Sequence, residues 1–391
     1  MKSYKTHIFF SIIFFILVGL CLYFITYFEY VSEQEEIICS PDDYFMTTFE
    51  ADHSLVRYTG RFNLKDSKKV SFAQSGCMIE ALFTGSKCHF YLNSFSFDPS
   101  TYTANYFNVF IDSNEAIVLH TPNDSSYYKI NDLTDTVHHI RIIKRTEAAC
   151  GRCEFSGFLL ERGDSLLKLP ARPNRRIEFI GNSITSGYGN EDSIKGNGFK
   201  PETQNNYFAF GAITARNLHA EYHAICYSGK GVYRNYDHSE KQTLSVLYDL
   251  TYPLPKVKWD FNSWIPQVVV INLGTNDFAT APPPQAEFVR AYFRLLIKIK
   301  NKYPKATIIC LDGPMLLDGW PNGVNTKSLV QLYIKYAINM AKYEGYTRMY
   351  QFSLTTSGQF GYGANWHPNI KQHQFNAEEL TSFIQGVMNW N

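Results

Sequence analysis

The hydrophobic period of this chain changes once, near Pro170, and that change dictates two different kinds of domain. From about Tyr44 to Leu169 apolar residues alternate with a period of two, punctuated by Gly, Asn, Asp and Ser. Lys87–Phe97, Tyr106–Asp112, Ala116–His120, His138–Lys144 and Phe155–Glu161 read as short strands, and Asp112-Ser-Asn-Glu115 as a hairpin turn between two of them. No long helical run interrupts the series, so a β-sandwich of jelly-roll type is expected over residues 40–170. Leu169-Pro-Ala-Arg-Pro173 forms the joint. Beyond it, short apolar runs alternate with helical stretches. The runs are Ile177–Ile180, Tyr222–Tyr227, Val268–Leu273, Thr307–Leu311 and Met349–Leu354. Phe288, Tyr292, Leu295 and Ile299 fall on one helical face, and Ser328–Tyr343 and Ala377–Trp390 supply two more helices. Buried strands alternating with helices predict an α/β domain with a doubly wound parallel sheet over residues 171–391.

The first segment predicts where the body resides. Ile8 to Phe28 is a run of 21 uncharged residues, and a helix of that length spans a bilayer's hydrocarbon core. Lys2 and Lys5 precede it, whereas Glu29, Glu33, Glu35 and Glu36 follow it. The positive flank stays cytoplasmic, so residues 1–39 are expected to be a signal anchor and stalk, with the body extracellular or luminal. A cleaved signal peptide is the competing reading, and it makes the body secreted. Lys plus Arg number 37 and Asp plus Glu 36, which offers no electrostatic basis for a nucleic-acid partner. Cys150-Gly-Arg-Cys153 has the spacing of a redox or half-zinc motif but lacks a second pair, so a structural disulfide or two inert thiols are expected there. Asn123-Asp-Ser125 is the chain's N-x-S/T sequon and sits in a turn-like polar stretch.

Open parallel sheets place their active sites at the carboxyl ends of the strands. The first strand runs into Gly181-Asn-Ser-Ile-Thr185, the second into Ser228-Gly-Lys-Gly231 and the third into Gly274-Thr-Asn-Asp277. The last is followed by Asn365-Trp-His-Pro368. Together these offer a hydroxyl, a bare glycine, an amide and an imidazole, the parts of an acyl-transfer site. Ser183 is the expected nucleophile and His367 its base. The backbone N–H groups of Ser183 and Gly229 and the side-chain amide of Asn276 are the expected oxyanion donors. Each motif alone has a bland explanation as a cap or a turn; four of them in order at four strand ends do not.

These blocks resemble the SGNH (GDSL-like) hydrolases, and more closely carbohydrate esterase family 2, the two-domain acetylxylan esterases. Arg57-Tyr-Thr-Gly-Arg61 and Lys144-Arg-Thr-Glu-Ala148 resemble the first domain of that family. Ile177–Thr185 with Gly187-Tyr-Gly-Asn190, Ser228–Asn235, Asn272–Asp277 and Gly363–Pro368 resemble its hydrolase blocks. The resemblance runs from Arg57 to the C-terminus. It implies removal of acetyl groups from O-acetylated polysaccharides or oligosaccharides, with no metal and no organic cofactor. It also makes Trp366, Tyr233 and Tyr236 candidate sugar-stacking platforms, with ordinary packing as the other account of the two tyrosines.

The chain departs from the family pattern at two places, the nucleophile and the base. Asn182 stands where Gly-Asp-Ser is usual, and Asn365 and Ala364 stand where an Asp often orients the base. The site is therefore expected to be a Ser–His dyad whose Nδ1 proton is held by a backbone carbonyl or by the Asn365 amide. Three other readings share the sequence: a lipase or thioesterase on the same scaffold, a surface lectin-like protein with a decayed site, and a membrane-bound acyltransferase. Zinc catalysis has little basis, because His219 and His223 are spaced i, i+4 without an H-E-x-x-H pattern.

Overall fold

Alternation of buried and outward residues holds the first half of the chain in extended conformation. The computed structural model describes residues 45–97, 104–122, 127–319 and 323–390. The apolar run 8–28 and the sequon at Asn123 lie outside the described residues. Among the described residues no helix is long and apolar enough to cross a membrane.

The sandwich consists of two antiparallel sheets. One runs Phe62–Asn63, Val70–Phe72, Arg152–Glu161, Cys88–Phe95, Tyr127–Ile130 in order across the sheet. The other runs Leu166–Leu167, Met78–Gly85, Thr136–Lys144, Asn105–Ile111, Ile117–Thr121. Their facing sides bury Phe72, Phe83, Phe90, Phe107, Phe155 and Phe158 completely. Burial of each such ring contributes about 1.5–3 kcal/mol, so this aromatic core is what holds the two sheets face to face. Asp112 turns the chain between Asn105–Ile111 and Ile117–Thr121 in a left-handed conformation (φ 56°), as the hairpin signal foretold. Cys153 is a free, buried thiol, so Cys150-Gly-Arg-Cys153 forms no bridge, and burial pushes the Cys150 thiol up to about 12. The inert-thiol reading is the one that holds.

The second half forms one parallel sheet in the order Ala220–Cys226, Arg175–Gly181, Val268–Asn272, Thr307–Leu311, Met349–Phe352. Val268–Asn272 and Thr307–Leu311 are buried at every residue, as strands covered on both faces must be. Helices Gln285–Lys302 and Thr326–Tyr343 pack together, as do Phe210–Asn217 and Ile370–Met388. The chain direction across the sheet reverses between Arg175–Gly181 and Val268–Asn272, and loops beyond that switch point converge.

Two helical features were not visible as periodicity. Phe210–Asn217 buries Gly211, Ala212, Thr214 and Ala215, small residues that leave no apolar stripe. The last helix begins at Ile370 rather than Ala377, because its first turns bury the polar Gln372, His373 and Asn376. Asn369 caps it by accepting the Gln372 N–H at 3.0 Å.

The two halves share a polar seam. Ser71 and Tyr252 hydroxyls lie 2.8 Å apart, Gln74 Nε2 donates to the Tyr227 hydroxyl at 2.7 Å, and Arg61 crosses into the α/β half entirely buried.

Candidate active site

Ser183 opens a single helical turn, Ser183–Ser186, at the carboxyl end of Arg175–Gly181. Asn182 caps that turn: its Oδ1 accepts the Ile184 N–H at 3.1 Å. The amide Nδ2 of Asn182 is buried and makes no hydrogen bond. The part of the side chain in use is thus an acceptor oxygen that Asn and Asp have in common, which explains why Asn suffices here. As the first residue of the turn, Ser183 has an N–H without an intrahelical acceptor.

His367 arrives from the loop after the last strand. Its Nδ1 lies 3.1 Å from the Ala364 carbonyl and 3.0 Å from the Asn365 carbonyl. Carbonyls only accept, so Nδ1 carries the proton and the bare Nε2 accepts the Ser183 hydroxyl at 2.8 Å. Of the two sequence-level options for the Nδ1 proton, the backbone carbonyl is the one realised. The Asn365 side chain points elsewhere, donating to the Tyr188 hydroxyl at 2.8 Å. Asn365 and Trp366 both adopt left-handed backbone (φ 47° and 61°), a cost of about 1–3 kcal/mol each that the loop offsets with hydrogen bonds. Ala364 N–H donates to Gly189 O, Asn365 N–H to Asn197 O and Trp366 N–H to Lys195 O.

Gly189 and Tyr188 complete this support, and neither was singled out from sequence as functional. A Cβ on Gly189 would fall 2.4 Å from the Ala364 Cβ, so only glycine admits the base loop so closely. The Tyr188 ring stacks on the His367 imidazole, with centroids 4.3 Å apart and planes at 26°. The adjacency of Gly187-Tyr-Gly-Asn190 to the nucleophile was legible; its pairing with a loop near residue 364 was not.

Two of the oxyanion candidates, Gly229 and Asn276, are linked through Lys230. Gly229 sits in left-handed backbone (φ 73°), where a Cβ would meet the Tyr236 Cβ at 3.9 Å, an ordinary contact. Asn276 Nδ2 gives one hydrogen to the Lys230 carbonyl at 2.8 Å, which fixes the amide beside the same loop and leaves the second hydrogen on that nitrogen. The neighbouring Asp277, buried, accepts the backbone N–H groups of Val232, Tyr233 and Arg234 at 2.8–3.0 Å. Burial pushes its carboxyl up to about 6 despite those three donors. Sequence reading gave Asp277 no role; here it pins the far end of the Ser228–Asn235 loop.

The aromatic candidates divide. Trp366 is 51% exposed and Tyr236 62% exposed. Lys195 Nζ lies 4.2 Å from the Trp366 ring centroid, over that ring. Tyr236 donates its N–H to the Gly229 carbonyl at 2.8 Å, which places it next to the oxyanion loop. Tyr233 is partly buried against the core, and its hydroxyl donates to Glu240 at 2.8 Å. Among the described residues no group of three His, Cys, Asp or Glu side chains converges as a metal site. His223 is buried and stacked on Trp264 with 3.6 Å between centroids.

Burial lowers the His367 pKa to about 4, with the two carbonyl hydrogen bonds opposing the shift. No carboxylate contributes to holding the imidazolium. The imidazole is therefore neutral, and competent as a base, at every pH above about 4. The acid limb of kcat/KM is expected near pH 4 rather than near the ordinary histidine value of about 6.5. Asn365→Asp, which puts a negative charge where Asn365 now meets the Tyr188 hydroxyl, on the ring stacked against the imidazole, is expected to move that limb upward. A pH–rate profile from pH 3 to 8 checks both; a wild-type limb above about pH 6 contradicts the assignment.

Comparison with known proteins bears on the same two halves. A carbohydrate esterase 2 N-terminal family model matches residues 58–170, and a GDSL-like lipase/acylhydrolase family model matches residues 179–374. The cellulase/esterase CelE of Acetivibrio thermocellus is 36% identical over 88% of this chain and 41% of its own length. This chain thus spans under half of that relative. An acetylxylan esterase / glucomannan deacetylase of Cellvibrio japonicus is 29% identical over 72% of this chain and 78% of its own. Among solved structures, a family two carbohydrate esterase from Clostridium thermocellum in complex with cellohexaose superposes with a TM-score of 0.80 at 36% identity, covering 86% of this chain and all of that one.

Proposed function

The chain belongs to carbohydrate esterase family 2, and from that premise we propose that it is a serine esterase removing O-linked acetyl groups from polysaccharides or oligosaccharides. The observation that carries this reading is the 2.8 Å hydrogen bond from the Ser183 hydroxyl to a His367 Nε2 whose tautomer is set by two carbonyls.

In this reading Ser183 Oγ attacks the acetyl carbonyl as its proton passes to His367 Nε2. The carbonyl oxygen takes up negative charge and is met by the N–H groups of Ser183 and Gly229 and by the free hydrogen of Asn276 Nδ2. Collapse of the tetrahedral adduct returns the proton to the sugar oxygen, which leaves as an alcohol, and acetyl remains on Ser183. Water then attacks with His367 again as base, and acetate departs. Fixed donors of this kind each contribute about 100- to 1,000-fold in rate. The imidazolium formed at each proton transfer is held by carbonyl dipoles and the Tyr188 face rather than by a carboxylate, which favours a modest kcat.

The sugar reading draws on the exposed rings of Trp366 and Tyr236 beside the base and the oxyanion loop, and on relatives named for acetylxylan and glucomannan deacetylation. The test against the lipase reading compares acetate release from acetylated xylo- and glucomanno-oligosaccharides with fatty-acid release from emulsified long-chain triacylglycerol. The expected kcat/KM favours the acetylated sugars by at least about 100-fold, a margin within reach of pocket discrimination plus stacking. Equal or greater turnover of the triacylglycerol overturns the sugar assignment.

A further inference from the structure

The strand Thr136–Lys144 of the sandwich runs on into Arg145-Thr-Glu-Ala148, which leaves its sheet and enters the α/β half. Arg145 donates to the Gln204 carbonyl at 3.3 Å and to the Glu202 carbonyl at 2.9 Å, and also pairs with Glu191. Lys144, fully buried, turns its ammonium back onto this segment and donates to the carbonyls of Thr146 at 2.8 Å and Glu147 at 3.1 Å. The backbone at Glu147 is therefore fixed before its side chain does anything.

Glu147 is buried, and its carboxylate holds Ser228 at two points. Glu147 Oε2 accepts the Ser228 N–H at 2.6 Å, and Oε1 accepts the Ser228 hydroxyl at 2.5 Å. Ser228 is covalently next to Gly229. In the other direction, the Glu147 N–H donates to Gln204 Oε1 at 3.1 Å, Gln204 Nε2 to Ser186 Oγ at 2.9 Å, and Ser186 Oγ–H to the Ser183 carbonyl at 2.8 Å. One continuous run of hydrogen bonds thus joins the oxyanion loop, a sandwich residue and the nucleophile turn. The Tyr227 N–H donates to the Gly181 carbonyl at 3.2 Å where the two strands end, and Glu147 links the side chains of the loops beyond that point.

We propose that Glu147 is a positioning residue for the oxyanion hole, setting the direction of the Gly229 N–H through its two-point hold on Ser228, so that the sandwich domain is a working part of the active site. This rests on the esterase reading above. An oxyanion donor acts only if it is already aimed at the charge as it forms. Gly229, with no side chain of its own and a left-handed backbone that only glycine adopts freely, has little intrinsic stiffness, so its direction must be imposed by its neighbours. Asp277 imposes it from the Val232–Arg234 side and Glu147 from the Ser228 side.

The test measures acetate release by the full chain as wild type, Ser183→Ala, Glu147→Ala, Glu147→Gln and Glu147→Asp, with a urea unfolding curve for each. Glu147→Ala is expected to lose about 10- to 100-fold in kcat with KM within about twofold, the signature of an interaction made in the transition state and not in ground-state binding. Glu147→Gln is expected to recover most of that loss, because its oxygen can still accept the N–H while its amide donates to the Ser228 hydroxyl. Glu147→Asp, which keeps the charge but falls one methylene short, is expected to lose kcat like the alanine variant. If Glu147→Ala does not fold, the Asp variant decides. A folded Ala or Asp variant with wild-type kcat, or a loss confined to KM, overturns the inference while leaving the esterase intact. A wild type that releases no acetate overturns both.

Discussion

His367→Ala is expected to lower kcat for acetate release by about 10⁴- to 10⁶-fold while leaving the fold intact. The size follows from what the imidazole does. It takes the Ser183 proton in acylation and activates water in deacylation, and nucleophile and base fail together when either is removed. The residual rate above water comes from the oxyanion donors and from substrate binding. The fold should survive because the ring is held at the rim of the sheet by Tyr188 and two loop carbonyls and does not belong to any of the three apolar cores. The expected unfolding midpoint in urea is therefore close to that of wild type. A His367→Ala variant with more than about a tenth of wild-type kcat removes His367 from the chemistry.

Arg61→Met is expected to destabilise the protein by about 3–5 kcal/mol without touching the site. Arg61 is wholly buried, donates to the Tyr248 and Leu250 carbonyls at 2.5 and 2.9 Å, and meets Glu178 Oε2 at 3.2 Å. Its guanidinium also lies over the rings of Tyr248, Trp259 and Phe261 at 5.0–5.3 Å. Glu178 sits on the strand that leads to Ser183, and its other oxygen accepts the Tyr248 hydroxyl at 2.7 Å. Methionine fills the space but leaves that carboxylate buried without a counter-charge, and two carbonyls without donors. Urea denaturation checks the loss. Glu178→Gln in the same chain is expected to restore a large part of it, since the stranded charge dominates the cost. A single variant within about 1 kcal/mol of wild type contradicts this account of the seam.

What the sequence displayed and what it hid separate along one physical line. Strand and helix runs are local patterns, and the expected Thr307–Leu311 strand matches the observed bounds while the other parallel strands differ by a few residues at their ends. The four strand-end motifs were equally local, and the structure brings Ser183 and His367 into hydrogen-bonding distance and ties Asn276 to Lys230, the residue after Gly229. The supports were invisible because their partners are remote in the chain. Arg61 meets a carboxylate 117 residues away, Glu147 a serine 81 residues away, and the Asn365 amide a hydroxyl 177 residues away. Arg57-Tyr-Thr-Gly-Arg61 and Lys144-Arg-Thr-Glu-Ala148 could be matched to a family from sequence, but their charged residues carried no hint of function within a period-two pattern. The structure shows both segments crossing the seam between the halves.

The central claim, an acetyl-transferring serine at position 183, is tested most directly by acetate release from O-acetylated xylan or glucomannan by wild type and Ser183→Ala side by side. The account predicts release by wild type that falls by about 10⁴- to 10⁶-fold in the variant. Release by Ser183→Ala above about a tenth of the wild-type rate, or none from wild type, contradicts it.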